Sequence, residues 1–315
     1  MTGVLRLGTR RSALARTQSE WVAAALRAAT GRAVELVEVT THGDTSSAPL
    51  AQIGGTGVFV SALRDALVEG RVDVAVHSLK DLPTATAEGL VLAAVPVRED
   101  PRDVLVARDG MGVDDLPAGA RVGTGSPRRV AQLRALRVDL DVVDVRGNVD
   151  TRLSRVADGT LDAVVLARAG LVRLGRADQA TEVIDVDRVL PAPGQGALAV
   201  ECRAGDAAAE ACRVLDDATT RACVAAERAL LAALEAGCTA PVGALATLRG
   251  DALSLTGVVA ALDGSRVLRR SLDGTADHAV DCGLALAAEL LTDGAADLVT
   301  AHRRPMNATT QESDS

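Results

Sequence analysis

The chain has 315 residues, 48% apolar and 24% charged, with 34 basic against 42 acidic groups and a net charge of −8. That is the composition of a folded globular protein, and its summed field repels nucleic acid and anionic membrane. Trp21 and Phe59 are its only aromatic residues, too few for a base-stacking platform, so neither a nucleic acid nor a membrane partner is expected.

The charge-free window from Thr45 to Leu63 contains Pro49, Gly54, Gly55 and Gly57, so it cannot hold the ~20 apolar residues that a bilayer needs. No apolar leader precedes VLRLGTRRS, and five cysteines with no CxxC spacing fit a reducing compartment, giving a cytoplasmic expectation. Arginine supplies 33 of the 34 basic groups; Lys80 is the single lysine.

From the N-terminus, strand-like apolar runs alternate with helical stretches through about residue 200. Three elements recur in order. RLGTRRSALA (Arg6 to Ala15) resembles RVGTGSPRRVA (Arg121 to Ala131), each a strand ending in Gly-Thr before a helix start with paired arginines. VELVEVTTHGDT (Val34 to Thr45) resembles LDVVDVRGNVDT (Leu140 to Thr151), a strand before a Gly-containing turn. EGRVDVAVHSLKDL (Glu69 to Leu82) resembles DGTLDAVVLARAGL (Asp158 to Leu171), with Gly70/Gly159 and Asp73/Asp162 in register. A duplicated α/β unit predicts two lobes whose strand-end loops face one cleft. Residues 1–200 hold 24 basic and 25 acidic groups and the remainder 10 and 17, so positive charge is concentrated in the duplicated part.

Beyond PAPGQGALAVECR the pattern changes to a long helix, TTRACVAAERALLAALEAG, short strands LSLTGVVA and SRVLRRSL, and a helix HAVDCGLALAAELLTDG, a small α+β unit. The polar end from Arg304 is expected to be disordered.

Arginines follow the strands: Arg10 and Arg11, Arg128 and Arg129, Arg146, Arg152 and Arg173. In GTGSPRR, Ser126 and Pro127 read as the N-cap and first position of a helix, which puts Arg128 and Arg129 in its first turn. Cations there oppose the helix dipole unless an anion joins them, and Ser12 after Arg10-Arg11 repeats the arrangement. Any one of these arginines could simply solvate a surface; their recurrence in both copies points to a polyanion, either phosphate or several carboxylates. Neither GTGSP nor GGTG has the spacing of a nucleotide loop.

In DVAVHSLKDLP a buried-type strand ends at His77, and Ser78, Lys80 and Asp81 emerge before Pro83. Lys80 and Asp81 are either an ordinary solvated pair or a carboxylate holder beside a general acid/base that steadies a developing cation. Cys202, Cys212, Cys223 and Cys282 lie in apolar stretches and read as core. Cys238, after the helix-ending Gly237, opens a loop that either presents a reactive thiol or does not, since no histidine accompanies it.

Together, LGTRRSALA, THGDT, GGTGVFV, AVHSLKDLPT, REDPRDVLV, VGTGSPRR, VRGNVDTRL, LARAGLVRLG, LPAPGQGALAVECR and EAGCTAPVGA resemble the porphobilinogen deaminase (hydroxymethylbilane synthase) family over roughly residues 3 to 303. The resemblance implies a transferase that condenses four porphobilinogen molecules head to tail, with loss of ammonia, into linear hydroxymethylbilane. It implies a dipyrromethane cofactor held by Cys238 through a thioether, with Asp81 as the catalytic carboxylate near the pyrrole nitrogens. Lys80, Ser78, Thr124, Ser126, Arg128, Arg129 and Asp81 are then cofactor-binding, and Arg10, Ser12, Arg146, Arg152, Arg173 and Gln195 substrate-binding.

The implied fold is two similar mixed-sheet α/β domains like those of type II periplasmic binding proteins, plus a small α+β domain. Expected boundaries are 1–97 with 197–216, then 98–196, then 217–303, with a tail at 304–315, and a monomer is expected. The chemistry calls for no metal. Each porphobilinogen carries two carboxylates, so a chain of up to six pyrroles bears about a dozen negative charges, which guanidiniums suit. Gln52, Thr56 and Ser61 stand where many members have lysines, His42 where an arginine is common, Arg11 where a glutamine is and Pro127 where a leucine is. The Gly54 to Gly57 loop is expected to cover the site, with Phe59 at its root either packing or touching a pyrrole. The competing reading is a non-catalytic two-domain module that binds a polycarboxylate; a nucleotide-binding enzyme is disfavoured by the missing loop motifs.

Overall fold

A computed structural model describes residues 3–39, 58–236 and 240–303. Strand β1 (Leu5–Thr9) leads into helix α1 (Ala13–Thr30), which starts where the Ser12 hydroxyl accepts from Ala15 N at 3.4 Å. β2 (Val34–Glu38) follows, then α2 (Val58–Val68), β3 (Val74–Ser78) and β4 (Leu90–Ala94). The third strand runs one residue beyond His77, where sequence places its end. The chain then crosses to a second sheet through β5 (Asp103–Ala107), β6 (Arg121–Gly123), α3 (Pro127–Leu136), β7 (Asp141–Val143) and α4 (Val149–Ala157). β8 (Ala163–Ala167), α5 (Arg168–Arg173) and β9 (Glu182–Val183) complete that sheet, and β10 (Leu198–Arg203) returns to the first.

The five-stranded sheets have the orders β2-β1-β3-β10-β4 and β7-β6-β8-β5-β9. They match position by position: the first three strands of each are parallel, and the fourth is antiparallel to both its neighbours. The fourth strand of each sheet is reached by a crossing from the other sheet.

The duplication extends to single hydrogen bonds. Asp73 Oδ2 accepts from Arg6 N at 3.0 Å and Asp73 N donates to Arg6 O at 2.8 Å; Asp162 Oδ2 accepts from Arg121 N at 2.8 Å and Asp162 N donates to Arg121 O at 3.0 Å. Ahead of each aspartate, Gly70 and Gly159 take φ of 71° and 76°, a left-handed turn that a Cβ would strain. Burial alone would raise the Asp73 carboxyl, but hydrogen bonds from Arg6 and Arg203 outweigh it and hold it at about 2.

With so few aromatics, aliphatic side chains fill the core: Leu7, Leu26 and Val74 under the first sheet, Leu105, Val122 and Ile184 under the second. The third unit follows α6 (Ala207–Cys212) and comprises α7 (Ala218–Ala233), β11 (Val242–Arg249), β12 (Ala252–Ala260), β13 (Val267–Thr275), α8 (Ala279–Thr292) and α9 (Ala295–Arg303). Its strands form the antiparallel sheet β11-β12-β13. β11 is not among the strands expected from sequence, because the small residues of VGALATLR blur its alternation. Helices α7 and α8 meet at Gly283, where a Cβ would lie 2.3 Å from Ala226 O. No helix among the described residues is long and apolar enough to cross a membrane. The expected tail at 304–315 and the Gly54 to Gly57 loop, with Gln52, Thr56 and His42, lie outside the described residues.

Candidate active site

In each sheet the parallel strands end on one edge, and the antiparallel strand starts there: Leu198 faces Ser78, and Asp103 faces Ala167. This carboxyl-end edge is where open α/β sheets hold ligands, and it gathers the candidate residues of both lobes. Arg10 and Ser12 lie half-buried between β1 and α1. Ser78, the last residue of β3, has its hydroxyl 3.1 Å from Gln18 Nε2, which donates to it. A short turn, Leu79–Asp81, then presents an exposed Asp81 beside a half-buried Lys80.

Lys80 Nζ donates to Gln195 Oε1 at 3.4 Å. Burial, then the Arg129 charge, lowers the Lys80 ammonium to about 8, with Asp81 and Asp103 acting in the opposite direction. Gln195 is buried; its Nε2 donates to Pro101 O at 2.6 Å and to Asp103 Oδ1 at 2.8 Å. It therefore bridges the lysine of one lobe to the carboxylate of the other.

Ser126 is the N-cap and Pro127 the first position of α3, as the sequence implies, although the Ser126 side chain makes no capping bond. Thr124 is buried and its hydroxyl accepts from Ser126 N at 3.3 Å. Arg128 and Arg129, read from sequence as an oxyanion receptor in the first helical turn, are both buried, and the Asp103 carboxylate lies against them. Arg128 Nη2 and Arg129 Nη2 each lie 2.8 Å from an oxygen of the fully buried Asp103. Arg128 Nη1 also donates to Leu190 O at 2.6 Å and Arg129 Nη1 to Val165 O at 3.0 Å. The first-turn cations find their counter-charge across the sheet. Against burial, which would raise it, these guanidiniums hold the Asp103 carboxyl far below the usual range.

The remaining arginines are less enclosed. Arg146 is exposed, its Nε donating to Asp144 Oδ2 at 3.1 Å, and Arg11 pairs with Glu38 Oε1 at 3.0 Å. Arg152, half-buried on α4, donates from Nε to Gly147 O at 2.9 Å; burial and the Arg129 charge lower its pKa, while Asp144 and Asp81 raise it. Arg173 reaches the second connection between the sheets, its Nη2 donating to Gly196 O at 2.6 Å. Lys80, Arg128 and Arg129 thus act on one another electrostatically and Arg152 joins them through Arg129, with Asp81, Asp103 and Asp144 as the nearby carboxylates. Four cations against three carboxylates leave an excess of positive charge that fits a ligand bearing several carboxylates, such as a dipyrromethane. Cys238, the proposed anchor, lies outside the described residues; Cys202, Cys212, Cys223 and Cys282 are buried core, as expected, and burial pushes the Cys223 thiol up to about 11.

Several supporting residues escaped the sequence reading. Glu227, fully buried on α7, is forked by Arg98 Nη1 and Nη2 at 2.6 and 3.0 Å. Glu201 is forked by Arg64 at 3.0 and 2.8 Å and lies 3.2 Å from His77 Nε2; these partners outweigh burial and hold its carboxyl at about 2. A charged residue on the apolar face of a strand or helix was the available signal: Asp103 opens DVLVA, and Glu227 shares its helix face with Val224 and Leu230.

Two family models match, the porphobilinogen deaminase dipyrromethane cofactor-binding domain over residues 5–211 and the porphobilinogen deaminase C-terminal domain over residues 221–292. Porphobilinogen deaminase 1 of Streptomyces coelicolor is 61% identical over 309 residues, covering 94% of this chain and 97% of the relative. Porphobilinogen deaminase of Nocardia farcinica is 61% identical over 305 residues, covering 94% and 88%. Among solved structures, the Bordetella pertussis BvgS periplasmic VFT2 domain is 19% identical with a TM-score of 0.40 over 66% of this chain and 84% of that one. The methionine binding protein MetQ is 13% identical with a TM-score of 0.44 over 67% and 89%. By its family models and its full-length relatives, the chain belongs to the porphobilinogen deaminase family, transferases of tetrapyrrole biosynthesis that work on a dipyrromethane cofactor.

Proposed function

We propose that this chain polymerises porphobilinogen into hydroxymethylbilane at the carboxyl-end edges of its two sheets, with Cys238 as the thioether anchor and Asp81 as the catalytic carboxylate. The observation that carries the reading is the gathering of Lys80, Arg128 and Arg129 about Gln195 and Asp103, with Arg152 close to Arg129 and an exposed Asp81 next to Lys80 on the same turn. When bound, the dipyrromethane supplies a tethered primer with a free pyrrole α-position for the next unit. Its carboxylates suit Lys80, Arg128 and Arg129, with Ser78, Thr124 and Ser126 as neutral donors beside them. Arg10, Ser12, Arg146, Arg152, Arg173 and Gln195 hold the carboxylates of incoming units.

Asp81 steadies the positive charge left on porphobilinogen as ammonia departs and takes up the α-proton, since its carboxylate meets solvent at the end of the turn. Tethering makes each addition effectively intramolecular. We further propose lobes at 1–97 with 197–216 and at 98–196, a cofactor-bearing unit at 217–303, a monomeric state and a cytoplasmic location. These lobes follow the two sheet compositions.

Intact mass tests the reading. The purified chain should exceed its amino-acid mass by one dipyrromethane and gain further pyrrole units with porphobilinogen, and Cys238→Ser should show neither. A wild-type mass equal to that of the amino acids alone, with turnover intact, would overturn it; a non-catalytic binding module would bind porphobilinogen with no covalent gain.

A further inference from the structure

We infer that Arg228 is a positioning residue of the reaction: from the helix that leads into Cys238, it fixes the turn that carries Lys80 and Asp81. The inference rests on the roles proposed above for Asp81 and Cys238.

Helix α7 ends at Ala233, five residues before Cys238. From it, Arg228 Nη1 donates to Leu82 O at 3.0 Å and Nη2 to Pro83 O at 2.7 Å. These are the two carbonyls that follow Asp81, and Leu82 N closes the turn by donating to Leu79 O at 3.1 Å. A planar guanidinium with two donors on successive carbonyls sets orientation as well as distance, which an ammonium on a flexible stem does not.

Apolar packing repeats the link. Val224, one helical turn before Arg228, shares a buried cluster with Leu79 and Leu82, so the turn is held to α7 by its side chains as well as its carbonyls. On the strand side, the residue before Ser78 is held separately: His77 pairs with Ala199 of β10, and its ring lies 3.2 Å from Glu201, which Arg64 forks. Leu79 N also donates to Ala197 O at 3.0 Å, but of these anchors only Arg228 and Val224 stand on the element that continues to the cysteine. Arg228 is half-buried, and burial lowers its pKa against the support of Glu201. A contact of this kind fixes the turn that carries the catalytic carboxylate against α7, and displacement by about 1 Å can cost ~10²-fold in rate.

The test compares Arg228→Met, which keeps the stem and removes the fork, with Arg228→Lys, which keeps the charge and reaches one carbonyl. Intact mass gives the loaded fraction, and rates are expressed per loaded enzyme. Arg228→Met should lower kcat by about 10- to 10²-fold with KM shifted much less, and Arg228→Lys should fall between it and wild type. In the cofactor-free Cys238→Ser background, Arg228→Met should speed hydrogen exchange of the amides from Leu79 to Leu82, a readout that needs neither cofactor nor turnover. Wild-type kcat per loaded Arg228→Met enzyme, or unchanged exchange in that turn, overturns the inference. Should Arg228→Met not fold, Arg228→Lys carries both measurements with the same outcomes. Asp81→Asn assayed in parallel separates the two readings: slow Asp81→Asn beside normal Arg228→Met sinks the role of Arg228 alone, whereas normal Asp81→Asn sinks the reading of the site.

Discussion

Glu227 and Arg98 form a buried fork between the third unit and the first crossing between the sheets, with hydrogen bonds of 2.6 and 3.0 Å. The same carboxylate accepts from Gly194 N at 2.7 Å, in the second crossing, and from Ala246 N at 2.9 Å, on β11. One anion thus gathers both connections between the lobes and the sheet of the third unit. Glu227→Gln leaves the Arg98 charge buried and under-compensated, a loss of roughly 3–5 kcal/mol that should lower the calorimetric midpoint by on the order of 10 °C. A midpoint equal to that of wild type would contradict this account of the junction.

Lys80 is the chain's single lysine, so its titration can be followed directly by reductive ¹³C-methylation and NMR. Its resonance should titrate near 8 in the cofactor-free Cys238→Ser protein, below the ordinary 10.5. Between about 8 and 10.5 the unfolded chain binds the extra proton, so this group's unfavourable contribution is fully present below 8 and is relieved as pH rises across that window. Carboxylate binding moves the other way, because the ammonium charge is lost above 8. Titration at the ordinary lysine value would show that neither burial nor Arg129 acts on this amine.

Asp81→Asn should keep the covalent dipyrromethane, visible in the intact mass, while turnover falls by about 10²–10⁴-fold, the usual contribution of a positioned proton-transfer group. Single-turnover rates close to wild type would count against Asp81.

Arg146→Leu and Arg152→Leu should change the distribution of enzyme-bound intermediates, stalling elongation at a particular pyrrole number. Neither residue bonds Asp103; one is exposed and one half-buried, and their hydrogen-bond partners are Asp144 and a backbone carbonyl. Mass increments on the protein report the ladder directly. A uniformly slower first addition with an unaltered ladder would contradict a role in elongation.

What could be read from sequence was local. Ser12 and Ser126 mark helix starts because capping chemistry lies within a few residues, and Gly70 and Gly159 mark equivalent turns because their backbone demands it. The register of Asp73 with Asp162 was legible for the same reason, each bonding a strand of its own repeat. The partner of Arg128 and Arg129 was not, since Asp103 reaches them only after β5 lies antiparallel to β8. Glu227, Arg98 and Arg228 were hidden likewise, their pairings joining segments more than a hundred residues apart. Strand β11 was missed through composition: alanine and glycine pack well in a sheet yet contribute little alternation.

The seat of β10 between β3 and β4 has a consequence for biosynthesis. A ribosome must deliver the chain as far as Arg203 before the earliest sheet can close, and until then β3 and β4 each present an unpaired flank. The nascent N-terminal portion is therefore an unfinished template that must wait through the translation of its own near-duplicate, whose strands could pair with it wrongly. Faithful maturation depends on the late strand arriving before such mispairing, so slow synthesis through the middle of the message should favour aggregation.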